Sequence, residues 1–324
     1  MSQNEISIEH RTDMAPIAVA AVVIPRWLRV LRNPLMRIVC FIALAMLFAC
    51  LARRVSGLHP LSISVAFSAS TIELCWRVLV ASLPIIAAYW VLVRGVEGRR
   101  VDELAVSKLL PDSARGLLVG AGLMSAAAGL MALFGAYQIV GVNSDVDLLA
   151  PLVLAAIIPG ITEELIFRGV LFRVVEDALG TWIAVAISGA FFGMVHFGNP
   201  NATLWTSFAI ALEAGILLGM LYAWTRSLYF VIGVHAAWNF TQGAVFDFAV
   251  SGIDMRAVLD ARTQGPELLS GGEFGAEASL LTVLLCLALS VVATQRAHRR
   301  GRIRKPYWLR ITPTPSDLPA GTAS

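Results

Sequence analysis

Eight stretches of this chain, at about 36–52, 72–93, 116–140, 148–170, 181–198, 204–225, 228–249 and 279–295, are almost wholly apolar. A helix rises 1.5 Å per residue, so about 17–25 apolar residues cross the ~30 Å hydrocarbon core of a bilayer. Within that core a chain satisfies its backbone polar groups only as a helix or a closed barrel. Runs this long and uninterrupted specify helices. The expected fold is therefore an all-α polytopic transmembrane helix bundle of about eight spans. Composition agrees: 57% of the residues are hydrophobic, 15% are charged and the mean hydropathy is +0.74. A soluble domain carries about 25% charged residues.

The basic residues orient the bundle. With both termini cytoplasmic, all but Arg53, Arg54, Arg77, Arg256 and Arg262 of the 25 Lys and Arg fall on the cytoplasmic side, as the positive-inside rule requires. The expected location is a plasma membrane or a bacterial inner membrane. No cleavable leader is read. The apolar stretch 15–24 is too short to span. The expected organisation is a cytoplasmic segment (1–35), three helices with their loops (36–147), a four-helix core (148–249), an outer loop (250–278), a last span (279–295) and a basic, disordered cytoplasmic tail (296–324). The Gly-rich part of the loop, 261–279, is expected to be flexible and has no role assigned. The tail reads as a topology anchor that also suits anionic lipid. Lipids and a membrane-associated protein or peptide are the expected partners, with no nucleic acid. Cys40, Cys50, Cys75 and Cys286 all lie in apolar runs without CxxC spacing and read as small buried hydrophobes.

Ionisable residues at membrane depth are expensive, which makes them functional candidates. The fourth run contains Glu163, Glu164 and Arg168, the fifth ends at His196, the sixth holds Glu213 and the seventh holds His235 and Asn239. At ~100° per residue, Glu164 and Arg168 share a helix face and can pair. Glu163 points away from Arg168 and is left as the free carboxylate. Pro159 and Gly160, one turn earlier, weaken the helix where a cavity would open. His235 and Asn239 also share a face, and the turn Gly198-Asn199-Pro200-Asn201 puts His196 at a helix end. Glu73 and Arg77 read as a self-neutralising pair. Glu213 stays open between packing and support of a site.

A free carboxylate, two imidazoles and an amide make a hydrolytic set. Glu163 takes a proton from water, one histidine orients that water, and the other donates with Asn239 to an oxyanion. Glu163, His196 and His235 equally make a candidate divalent-metal set, zinc above all. On the assumed span boundaries, however, His196 lies nearer the outer face and His235 nearer the inner one, a mismatch of ~10 Å or more.

The segments Glu163-Glu164-Leu-Ile-Phe-Arg168, Phe192-Gly-Met-Val-His196 and His235-Ala-Ala-Trp-Asn239 resemble the EExxxR, FxxxH and HxxxN motifs of the CPBP family of intramembrane proteases. That family includes the type II CAAX prenyl endopeptidases (Rce1-like) and bacterial Abi-type relatives. The resemblance implies a membrane endopeptidase in which Glu163 activates water with His196, His235 and Asn239 stabilise the oxyanion, and Glu164, Arg168 and Phe192 support them. A prenylated CAAX tail is the substrate of the eukaryotic relatives. The family is often labelled metalloprotease, and the residues leave zinc and a metal-free mechanism both open. The rival readings are a non-catalytic protein of the same fold, of scaffold or bacteriocin-immunity type, and a proton-coupled carrier.

Overall fold

Five polar side chains set where the main helices begin. Asn33, Ser70, Thr203, Ser227 and Ser279 each accept a backbone N–H from the first turn that follows, satisfying donors that a helix start leaves orphaned. In the computed structural model, which describes residues 25–57 and 69–310, the helices are α1 (Pro34–Ser56), α2 (Thr71–Val96), α3 (Val106–Leu133), α4 (Leu149–Leu179), α5 (Thr181–His196), α6 (Leu204–Thr225), α7 (Leu228–Phe240, extended by a π-helical turn, Thr241–Val245) and α8 (Leu280–Arg299). The apolar stretch 15–24 and the end of the tail, 312–324, lie outside the described residues.

The protein is an all-α membrane bundle, but six helices rather than eight among the described residues are long and apolar enough to cross a membrane. The two that fall short are the fifth and seventh. Helix α5 has 16 residues, because the Gly198-Asn199-Pro200 turn ends it early. Helix α7 carries the polar His235 and Asn239, and its extension carries Gln242, so its hydropathy drops. These two helices hold three of the four predicted chemical groups.

The loop expected to be flexible is instead ordered. Strand β2 (Leu259–Thr263) pairs antiparallel with β1 (Tyr137–Val142), with an irregularity between Ile139 and Gly141. Short helical turns follow at Glu267–Ser270, Gly272–Phe274 and Ala276–Ala278, burying Phe274, Ala276, Glu277 and Ala278. Gly252 has φ +83°, and a Cβ there would run into the Pro200 carbonyl. A glycine-rich composition here reflects close backbone packing.

The tail is also docked as far as Arg310. Arg304 N–H donates to Thr181 Oγ1 (2.8 Å), Arg304 pairs with Asp177 (2.6 Å), and Arg302 donates to the Trp224 carbonyl. Arg37 pairs with Asp177 too (3.1 Å), so the start of α1 and the tail lie at one end of the bundle. Gly180, at the α4–α5 junction, has φ +83°, and a Cβ there would meet Arg304 O at 2.8 Å.

Helices α3 and α7 pack backbone to backbone. Gly116 and Gly120, a small-xxx-small pair, lie against the carbonyls of Phe230 and Val234, as membrane helices do where small residues permit close approach. This contact sets the position of His235, one residue after Val234. Gly120→Val should reduce thermal stability by about 3 kcal/mol or prevent folding, since backbone cannot yield as a side chain can. Gly122→Val, which meets nothing within 4 Å, should leave the melting temperature in detergent unchanged, and equal melting of the two variants would refute the packing argument.

Between α2 and α3, Glu103 is buried and accepts two bonds from Arg99 (2.6 and 2.9 Å) and one from the Tyr89 hydroxyl. Burial alone would raise its carboxyl, but the Arg99 and Tyr89 hydrogen bonds outweigh burial and hold it at about 2, from an ordinary value of 4.5. A folded-state value below the unfolded one stabilises above the unfolded value and is lost as pH falls towards the folded one. The full shift corresponds to stability on the order of 3 kcal/mol. Between pH 5 and pH 3 the melting temperature should therefore fall more steeply for the wild type than for Glu103→Gln.

Candidate active site

Helix α4 departs twice from regular winding, with π-helical stretches at Leu152–Ile157 and Leu165–Phe172 on either side of the regular segment Ile158–Glu164. Further π-helical turns occupy Ala211–Ile216 in α6 and Thr241–Val245 after α7. Such turns gather at functional sites because they disturb the regular ladder and free carbonyls for other donors. Pro159 adds to this. It has no N–H for the carbonyl four residues back, Ala155, and that carbonyl accepts from Asn239 Nδ2 at 2.9 Å. The carbonyls of Ala214 and Gly215, in the α6 π stretch, accept from Arg168 Nη2 at 2.9 and 3.3 Å.

The predicted pairing of Glu164 with Arg168 is present: Arg168 Nη1 donates to Glu164 Oε1 at 2.8 Å, and both side chains are fully buried. Arg168 also lies over the Phe192 ring, 4.6 Å from its centroid. A second partner of Glu164 was not foreseen. His235 Nδ1 is 2.8 Å from the same Oε1. The carboxylate can only accept there, so Nδ1 carries its hydrogen towards Glu164. His196 Nδ1 is 2.7 Å from the Phe192 carbonyl, which likewise only accepts, so the His196 Nε2 lone pair faces outward. Phe192 lies tilted against His196, with ring centroids 4.7 Å apart and planes at 33°, and meets His235 edge-on at 6.2 Å. One aromatic ring thus holds Arg168 and both imidazoles.

Glu163 stands apart from Arg168, as the helix-face argument requires. Its Oε2 lies 3.9 Å from His196 Nε2 and 4.0 Å from His235 Nε2, and makes no hydrogen bond among the described residues. The ~10 Å depth mismatch is therefore absent. It assumed helices that rise in parallel from a common plane, and the α3–α7 glycine contact and the α5–α6 contact at Gly189 and Gly215 set different offsets. All four groups line one cavity of about 430 Å³, whose walls include Leu217, Trp238 and Ile253.

The zinc alternative can be tested on this geometry. Tetrahedral zinc with bonds of ~2.0–2.2 Å holds its ligand atoms ~3.3–3.5 Å apart. The separations of 3.9 and 4.0 Å are wider, and among the described residues no group of three His, Cys, Asp or Glu is arranged to hold a metal ion. Glu163, His196 and His235 as placed do not fit zinc.

Sequence reasoning missed Ser251, Glu277 and Cys286 among the lining residues and left Glu213 open; all four face the same cavity. Glu277 lies in the segment to which no role was assigned, and no pattern in its neighbours marks it. Glu73 and Arg77 do pair, at 2.6 Å, away from the cavity. The four cysteines are free.

The model of the family described as type II CAAX prenyl endopeptidase Rce1-like matches residues 145–241, about a third of the chain. No curated protein and no solved structure matches the chain. The matched stretch includes Glu163, Glu164, Arg168, Phe192, His196, His235 and Asn239, and ends before Glu277. Over residues 145–241 the chain is thus similar to the type II CAAX prenyl endopeptidase Rce1-like family.

Proposed function

We propose that the protein is an intramembrane endopeptidase that hydrolyses a peptide bond of a membrane-associated protein or peptide, with a prenylated CAAX tail as the first substrate class to test and both termini in the cytoplasm. The observation that carries this reading is the placement of Glu163 Oε2, without a hydrogen-bond partner, 3.9 and 4.0 Å from the two imidazole Nε2 atoms in a largely apolar cavity. Atoms at that separation are too far apart to bond each other, and a water within ~2.8 Å of both spans the gap.

Glu163 takes a proton from that water while His196 Nε2 accepts its second hydrogen and aims its lone pair. The water oxygen bonds to the substrate carbonyl carbon, and the carbonyl π pair moves onto oxygen. Asn239, with one amide hydrogen engaged by Ala155 O, has the other for this oxyanion. His235 donates from Nε2. Because its Nδ1 hydrogen is held by Glu164, it does so as an imidazolium, and the charges of Glu163, Glu164, Arg168 and His235 then cancel. When the tetrahedral adduct collapses, the C–N bond breaks and Glu163 returns its proton to the departing amine. Surrounding low-dielectric walls strengthen each of these interactions.

The test is cleavage of a farnesylated CAAX peptide and a single-span substrate by purified protein in liposomes. Wild type should cleave, including after chelator treatment, and Glu163→Gln should not. Equal product from both proteins would sink the proposal.

A further inference from the structure

Five glutamates among the described residues are buried: Glu103, Glu164, Glu176, Glu213 and Glu277. Burying a carboxylate without a partner is costly, so buried carboxylates are normally paired. The first three follow this rule, with Arg99, Arg168 and Arg226 respectively. Glu213 and Glu277 form no ion pair among the described residues, and they are the two that line the cavity.

The two carboxyls come from different elements, α6 and the Ala276–Ala278 turn, and lie close enough for their charges to interact. Glu277 is held in place: Ser251 donates to it from N–H (2.6 Å) and from Oγ (3.1 Å). Glu213 is 2% exposed, and its Oε2 has no hydrogen-bond partner. Gln242, fully buried beside Glu277, also has an unpartnered Oε1. This part of the site thus offers several acceptors and no cation. It is adjacent to the reacting groups, since Glu213 and Glu277 line the same cavity as Glu163 and His235. Burial pushes the Glu277 carboxyl up to about 7, so near neutral pH a cationic ligand would favour its charged form.

We propose that Glu213 and Glu277 form a subsite of the cavity that receives a basic side chain, lysine or arginine, of the peptide substrate. This rests on the peptidase reading above and adds a specificity to it. A side chain with an aliphatic stem and a cationic tip matches the surroundings, with Leu217, Leu218 and Cys286 on the wall and the two carboxylates at the end. A buried charge pair formed on binding is also selective, because its loss leaves a charge uncompensated.

The experiment measures binding separately from cleavage. A set of fluorescent apolar peptides, each with one lysine moved along the sequence a residue at a time, is compared with the norleucine parent for binding to Glu163→Gln protein in detergent. At one position or more, lysine should bind at least about tenfold more tightly than norleucine, and Glu213→Gln or Glu277→Gln should remove that preference. Equal binding of the two series, no binding of either, or a preference that survives both substitutions would overturn the subsite. The lysine–norleucine comparison needs no change at the acid pair, so it stands even if those variants fail to fold. Cleavage by wild type is scored on the same peptides: binding preference without cleavage would reject the peptidase reading and keep the subsite, and cleavage without preference would do the reverse.

Discussion

Glu163→Gln protein is expected to fold like the wild type and to cleave substrate about 10³–10⁴ times more slowly. Glutamine matches glutamate in shape. The Glu163 side chain is 28% exposed and pairs with no arginine, so the structure does not depend on its charge. What the substitution removes is, among the described residues, the only carboxylate within 4.0 Å of both imidazole Nε2 atoms, and an amide cannot take a proton from water. The oxyanion donors at His235 and Asn239 remain, which is why the loss is not complete. The measurement is single-turnover cleavage in liposomes beside a thermal melt of both proteins. A loss smaller than tenfold at unchanged stability would remove Glu163 from the chemistry.

Arg168→Met should be the most destabilising single change in the core of the site. Arg168 is fully buried, bonded to Glu164 and to two carbonyls of α6, and packed on Phe192. Removing it leaves the buried set of Glu163, Glu164 and His235 one positive charge short, a loss of about 3–5 kcal/mol. Adding Glu164→Gln should recover much of that stability, because neutralising both members of a buried pair is often close to neutral. It should not recover cleavage. His235 would then lack the carboxylate that stabilises its imidazolium, and a neutral imidazole is a weaker donor to the oxyanion. A melting temperature for Arg168→Met equal to that of wild type would contradict the first expectation, and full cleavage by the double variant the second.

These two residues also show how far a linear reading reaches. The i, i+4 spacing of Glu164 and Arg168, against i, i+5 for Glu163, separates the supporting pair from the free carboxylate by helical geometry alone, and the structure has both as expected. The bond from His235 to Glu164 joins residues 71 apart, and no local spacing encodes it. The span count came out too high because α5, between Gly180 and the turn after His196, has only 16 residues, and because His235, Asn239 and Gln242 lower the hydropathy of α7 and its extension. The loop at 261–279 and the tail to Arg310 looked unstructured because their order comes from glycines and arginines meeting distant backbone, such as Gly180 against Arg304, and not from apolar periodicity. Glu277 was invisible for the same reason.

Hydropathy and residue spacing were enough to establish a helical membrane bundle and the internal pairing within α4, because each is a property of one segment in lipid or of one helical turn. Whether Glu163 would meet His196 and His235, and whether Glu213 would face Glu277, was decided only by tertiary structure. Those meetings depend on the relative offset of separate helices, which the glycine contacts of α3 with α7 and of α5 with α6 set together with the π-helical turns.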